Sequence, residues 1–200
     1  MNDLFKTIES PSKGLYKEKG SKFLAFAFPV AAEDEIKDRI SLLRKQYHDA
    51  RHHCLAWRLG PDIDRYRTND DGEPSGSAGK PIFGQIQSRD LTNVLVVVVR
   101  YFGGTLLGVG GLINAYRSAA SDALGRARIL EKKVHSLLEL EFDYTQMNPV
   151  MKVIKDHNLE FYDQQFDMNC TLKLKVWKRI EALVFEKMSK IDGCRIKELE

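Results

Sequence analysis

Six consecutive apolar residues, Val94 to Val99, five of them valine, leave a chain few choices of local structure. β-Branched side chains favour extended backbone, and a strand without polar alternation must be covered on both faces. The run therefore predicts a central strand between two layers. It breaks off into Arg100, Tyr101 and Phe102. Five glycines then fall within nine residues: Gly103, Gly104, Gly108, Gly110 and Gly111. After them Leu112 to Arg126 reads as a helix, with small residues at Ala115, Ala119, Ala120 and Ala123.

At 200 residues the chain can hold one ample domain or two small ones. The three cysteines, Cys54, Cys170 and Cys194, form no CxxC pair, so neither a disulfide framework nor a structural zinc site is expected. With no apolar run of membrane-spanning length and no signal-like start, the expectation is a cytoplasmic protein without membrane association. Net charge is +3, unevenly spread: residues 1–132 hold 20 Lys and Arg against 16 Asp and Glu, and residues 133–200 hold 11 against 12. So small a bias does not by itself mark a nucleic-acid binder.

Upstream, Gly14 to Val30 predicts a hairpin turning at Lys19-Gly20-Ser21, and Ala32 to Tyr47 a helix with an acidic first turn. His53 to Gly60 predicts a strand, followed by a polar, turn-rich connection and a short helix from Gly79 to before Arg89. Downstream, strands are expected at Val134–Tyr144, Leu159–Phe166, Met168–Val176 and Cys194–Leu199, with helices at Gln146–Asn158 and Lys178–Ser189. That βαββαβ order matches the split βαβ, or ferredoxin-like, arrangement. It places a domain boundary near Glu131 to Lys133, giving domains 1–132 and 133–200.

Two glycine-rich loops invite functional readings. Gly108-Val109-Gly110-Gly111 starts like a dinucleotide fingerprint, but the third glycine is replaced by Ile113. Strand-to-helix turns of this kind bind anions through free N–H groups, and Arg100 would add charge. Equally, Arg100 could pair with Asp70, Asp71 or Glu73. The other loop, DDGEPSGSAGK, fails as a phosphate loop because Pro74 and Pro81 stand where glycine and Ser or Thr are required. Asp71 and Glu73 could contact a cation or ligand, or form a solvated acidic turn. His48, His52, His53 and Cys54 are metal-capable types, but successive strand residues point to opposite faces, so no metal site and no cofactor is expected.

Taken together, SKGLYKEKGSKFLAFAFPV, DARHHCLAWRLG, DDGEPSGSAGKPI and VVVVRYFGGTLLGVGGLINAY resemble the IMPACT family, in particular its bacterial YigZ-like branch. The segments fall in the family's order and cover most of residues 10–120, with Phe83 where an aliphatic is commoner. The resemblance implies an α+β fold: an N-terminal left-handed βαβ domain, like domain 2 of ribosomal protein S5 and domain IV of elongation factor G, followed by a ferredoxin-like domain resembling elongation factor G domain V. It brings no established reaction. A dinuclear peptidase would need an Asp, His and Glu ligand set that this sequence does not supply.

The leading expectation is a non-catalytic RNA- or ribosome-associated protein linked to regulation of translation. Lys17, Lys19, Lys22, Lys80 and Arg100 would contact phosphate, Tyr101 or Phe102 would stack, and Gly103, Gly104, Gly108, Gly110 and Gly111 would form an anion cradle. Two alternatives stay open. One is an enzyme acting on a small phosphorylated or acidic ligand, with Asp71 or Glu73 as general base or cation ligand. The other is a protein-interaction module whose protein partners the sequence does not name.

Overall fold

In the computed structural model, which describes residues 3–61 and 65–199, the valine run lies in the middle strand of a five-stranded antiparallel sheet. That strand is β6 (Val94–Tyr101), flanked by β3 (Ser21–Pro29) and β4 (His52–Arg58), with β2 (Ser12–Glu18) and β5 (Tyr66–Asn69) at the edges. Val94, Val96 and Val98 pack with Ala25, Ala27, Cys54 and Ala56 under α2 (Gly79–Ser88) and α3 (Gly108–Gly125). Leu95, Val97 and Val99 face the other way, with Phe26, Leu55 and Trp57 under α1 (Glu33–Gln46). Full burial of one such side chain contributes about 1.5–3 kcal/mol, so β6 anchors both layers.

Local chemistry fixes where these elements stop and how closely they approach. Glu33, Asp34 and Glu35 open α1, while Arg44 and Lys45 close it, each complementing the helix dipole. The β2–β3 hairpin turns on Lys19 (φ 44°) and Gly20 (φ 79°), the left-handed pair that a tight hairpin needs. A Cβ at Gly14 would lie 2.3 Å from the Ala123 nitrogen, so α3 can rest on β2 only where a side chain is missing. Edge strand β2 is partly closed off there: the Leu15 N–H donates to the Asp122 carboxylate at 2.9 Å.

Three short strands depart from the expectation. β1 (Leu4–Ile8) and β7 (Ile129–Lys133) form a two-stranded sheet, and β5 lies within the stretch expected to be only turns. Residues 62–64 of that stretch fall outside the described residues. The helix α3 begins at Gly108, four residues ahead of Leu112.

The described residues divide into two compact units, Phe5–Lys132 and a second that comprises Asp3, Leu4 and the stretch from Lys133 onward. In the second, β8 (His135–Asp143), α4 (Met147–Asp156), β9 (Glu160–Gln165), β10 (Asn169–Trp177), α5 (Glu181–Ser189) and β11 (Arg195–Leu199) follow in the order βαββαβ. They form an antiparallel sheet ordered β11-β8-β10-β9. Leu138, Leu140, Leu172 and Leu174 bury one face against Val150, Ile154, Val184 and Met188. No helix among the described residues is long and apolar enough to cross a membrane.

Candidate functional site

The acidic loop between β5 and α2 is occupied by its own chain. The Asp70 carboxylate accepts the backbone N–H groups of Gly76 (2.8 Å), Ala78 (3.0 Å) and Gly79 (2.8 Å), closing the N-terminus of α2. Burial pushes the Asp70 pKa upward, but the three N–H bonds outweigh it and hold the carboxyl below its ordinary value. Asp71 accepts the His53 N–H at 2.7 Å and the Arg44 guanidinium at 2.9 Å, and its carbonyl meets the His52 ring at 2.8 Å. Lys80, exposed in the first turn of α2, lies with its aliphatic stem near Gly76.

Glu73 is the acid that reaches Arg100. The Arg100 Nη1 donates to Glu73 Oε1 at 2.6 Å, and the Tyr116 hydroxyl donates to the same oxygen at 2.7 Å. The two charged side chains are only 7% and 4% exposed. The hydrogen-bonded chain continues through Tyr116 to the Cys54 thiol at 3.3 Å. Burial raises both Cys54 and Tyr116, so both stay protonated at neutral pH. The Arg100 guanidinium lies over Phe23 (5.5 Å to the centroid) and over Phe102 (5.7 Å).

A separate row crosses three strands: Lys17 opposes Lys22, and Lys22 opposes Tyr101. Both lysines are exposed, and among the described residues neither has an ion-pair partner. Tyr101 donates its hydroxyl to Asp49 at 2.7 Å. The hairpin turn packs directly on the glycine loop: a Cβ at Gly103 would fall 2.0 Å from the Gly20 carbonyl carbon, and the Gly103 N–H donates to the Ser21 hydroxyl at 3.1 Å. Beyond this point Gly104, Gly108 and Gly110 are exposed, Gly111 is half-buried, and among the described residues no side chain caps the start of α3. Phe102, Leu106 and Val109 are exposed around them.

Thus the hairpin turn brings Gly103 against Gly20 and Ser21, while Lys17 and Lys22 form a separate row in register with Tyr101. Arg100 and Tyr101, adjacent on a strand, point to opposite faces, Arg100 toward α3 and Tyr101 toward α1. Sequence reasoning missed the Glu73–Tyr116–Cys54 chain, because Tyr116 reads only as one apolar helix position. His53 is buried, which lowers its pKa, and its Nε2 has no hydrogen-bond partner among the described residues. No three His, Cys, Asp or Glu side chains among the described residues are grouped to hold a metal.

Comparison with known proteins agrees with the motif reading. The Impact N-terminal domain model matches residues 19–124. An IMPACT family member from Haemophilus influenzae is 34% identical over 178 residues, spanning 88% of this chain and 86% of its own length. The IMPACT family member YvyE of Bacillus subtilis is 33% identical over 156 residues, spanning 78% and 71%. A crystal structure described as that of a hypothetical protein superposes with a TM-score of 0.77 at 26% identity, over 100% of this chain and 99% of that one. With the family model matched over residues 19–124 and relatives about a third identical over most of their own length, the chain belongs to the IMPACT family.

Proposed function

We propose that this protein is a non-catalytic RNA- or ribosome-associated factor linked to the regulation of translation, and that it meets phosphate through the hairpin tip and the glycine loop. One observation carries the reading. Lys17 and Lys22 stand directly opposite each other without a counter-charge, an arrangement that costs stability in a sheet and that a bound anion would relieve. Lys19, the backbone N–H groups at the start of α3 and Lys80 would extend the same charge, with Phe102 as a stacking surface. Asp71 and Glu73, which an enzymatic reading would use, are held by Arg44, His53, Arg100 and Tyr116. That supports binding over catalysis.

The finer fold assignments belong to this proposal. We take residues 1–132 as a left-handed βαβ domain like that of ribosomal protein S5, and residues 133–200 as a ferredoxin-like domain. The β11-β8-β10-β9 strand order supports the latter.

The test is RNA affinity as a function of salt, by fluorescence anisotropy. Affinity should fall steeply with rising salt, and the double variant Lys17→Gln/Lys22→Gln should flatten the slope by about 0.7 for each single-strand phosphate it no longer neutralises. The weakening should be alike for all sequences, since phosphate carries no base information. The same variant should melt no lower than the parent. Binding indifferent to salt, or an unchanged slope in the folded double variant, would place the RNA elsewhere or remove it.

A further inference from the structure

We propose that Phe102 is a fixed platform for one unpaired RNA base, so that this surface selects single-stranded over duplex RNA; the inference rests on the RNA reading above. The ring is 51% exposed, yet it is not a loose side chain. The Arg100 guanidinium lies over it, 5.7 Å from the ring centroid, and also over the fully buried Phe23 at 5.5 Å. Arg100 is itself held by Glu73, and Phe23 packs edge-on against Tyr116 with centroids 5.1 Å apart. A half-exposed aromatic seated on a clamped cation loses little freedom when a partner stacks on its open side.

The surroundings suit a base with its phosphate. Gly103 and Gly104 follow the ring directly, and the space where a Gly104 side chain would lie is empty to 4 Å, so a planar group can approach without steric cost. Tyr101, one residue back, pairs with Lys22 and through it with Lys17; these cations stand on the α1 face of the sheet, opposite Arg100, so they would meet phosphates that pass around the hairpin tip rather than ones directly beside the ring. Buried Arg100 contributes through the ring rather than by touching phosphate, because its Nη1 is committed to Glu73. Bases inside an A-form duplex keep their faces stacked on each other, and only unpaired bases expose a face to an aromatic side chain.

The experiment compares three labelled probes of about twelve nucleotides: single-stranded RNA, the same sequence as a duplex, and an abasic strand that keeps phosphates but lacks bases. Wild type should prefer the single strand over both others. Phe102→Ala should weaken single-strand binding roughly fivefold to a hundredfold, the range for losing one base–aromatic stack, while leaving abasic and duplex binding and the salt slope unchanged. Phe102→Leu keeps apolar cover over Arg100 and should show the same selective loss even if Phe102→Ala melts lower. Phe102→Trp should retain affinity, and its indole emission should be quenched by the single strand but not by the abasic strand. Equal wild-type binding to single strand and duplex, or a folded Phe102→Leu that binds the single strand normally, overturns the platform and leaves the phosphate reading standing. Absence of salt-dependent binding to every probe instead removes the underlying reading, and the platform with it.

Discussion

Removing Arg100 should do more to the fold than to any ligand, and its size can be worked out from the geometry. Arg100 and Glu73 are 7% and 4% exposed and 2.6 Å apart. Truncating one member of such a pair strands a buried charge and costs about 3–5 kcal/mol. Arg100→Met leaves the Glu73 carboxylate with the Tyr116 hydroxyl alone, and Glu73→Met leaves the guanidinium with only the aromatic faces of Phe23 and Phe102. The double variant removes both charges and chiefly unpairs the Tyr116 hydroxyl, a loss of about 1–3 kcal/mol. The two single losses should therefore exceed the double loss by several kcal/mol, far above the ~0.5 kcal/mol within which independent sites add. Guanidinium melts followed by Trp57 emission in a Trp177→Phe background would measure all four corners of the cycle. Single losses below about 1 kcal/mol, or losses that simply add in the double variant, would refute the description of a desolvated, mutually dependent pair.

Other expectations can be checked with the same preparations. Gly103→Ala should displace the hairpin turn and destabilise by roughly 1–3 kcal/mol, since its new carbon would meet backbone at 2.0 Å. Gly110→Ala meets nothing within 4 Å and should instead raise helix stability by about 0.5–1 kcal/mol; reduced RNA retention in this stable variant would identify the first turn of α3 as a place of close backbone approach. Because the Asp70 carboxyl is held below its ordinary value, its contribution is complete above about pH 4 and is lost as pH falls through the lowered pKa. Asp70→Asn should cost about 1–3 kcal/mol at neutral pH and remove that part of the acid dependence, which acid denaturation series of both proteins would reveal. The buried Cys54 thiol, pushed up by desolvation, should resist thiol reagents at neutral pH until the protein unfolds, as timed labelling and mass spectrometry would register.

The parts legible in the sequence were those written in local pattern. A continuous apolar run foretold β6 and its two layers, and the βαββαβ order of the second unit followed from periodicity alone. β1 and β7 were not legible because five-residue strands far apart in the chain leave no local signature of their pairing. Strand β5 hides in a polar stretch, and its visible support is tertiary: Tyr66 stacks on Phe83 with centroids 4.2 Å apart. The early start of α3 was masked by glycines, poor helix formers that tertiary packing nonetheless accommodates. For Arg100 the sequence offered three acids, and only the path of the loop, turned inward after Asp70 caps α2, selects Glu73. That Arg100 and Tyr101 face opposite ways was readable from strand alternation, although their adjacency in sequence suggests a shared surface.

The exposed lysines of β2 carry a second consequence, for colloidal behaviour. An edge strand offers unpaired backbone groups to any other extended chain, and proteins suppress this with charge and with side chains that occupy the edge. Lys13 and Lys17 on β2 supply the charge, and the Asp122 carboxylate occupies the N–H at Leu15. Neutralising Lys17, as the test of the proposed RNA contact requires, therefore also removes part of the electrostatic guard on an open sheet margin, and neutralising Lys13 with it removes the rest. Light scattering should rise in concentrated solutions of such variants, most of all when Asp122 is replaced as well, although the folded monomer loses almost nothing. Lys17 would thus serve twice, as a proposed anion contact and as part of the charge that keeps one copy from templating the next.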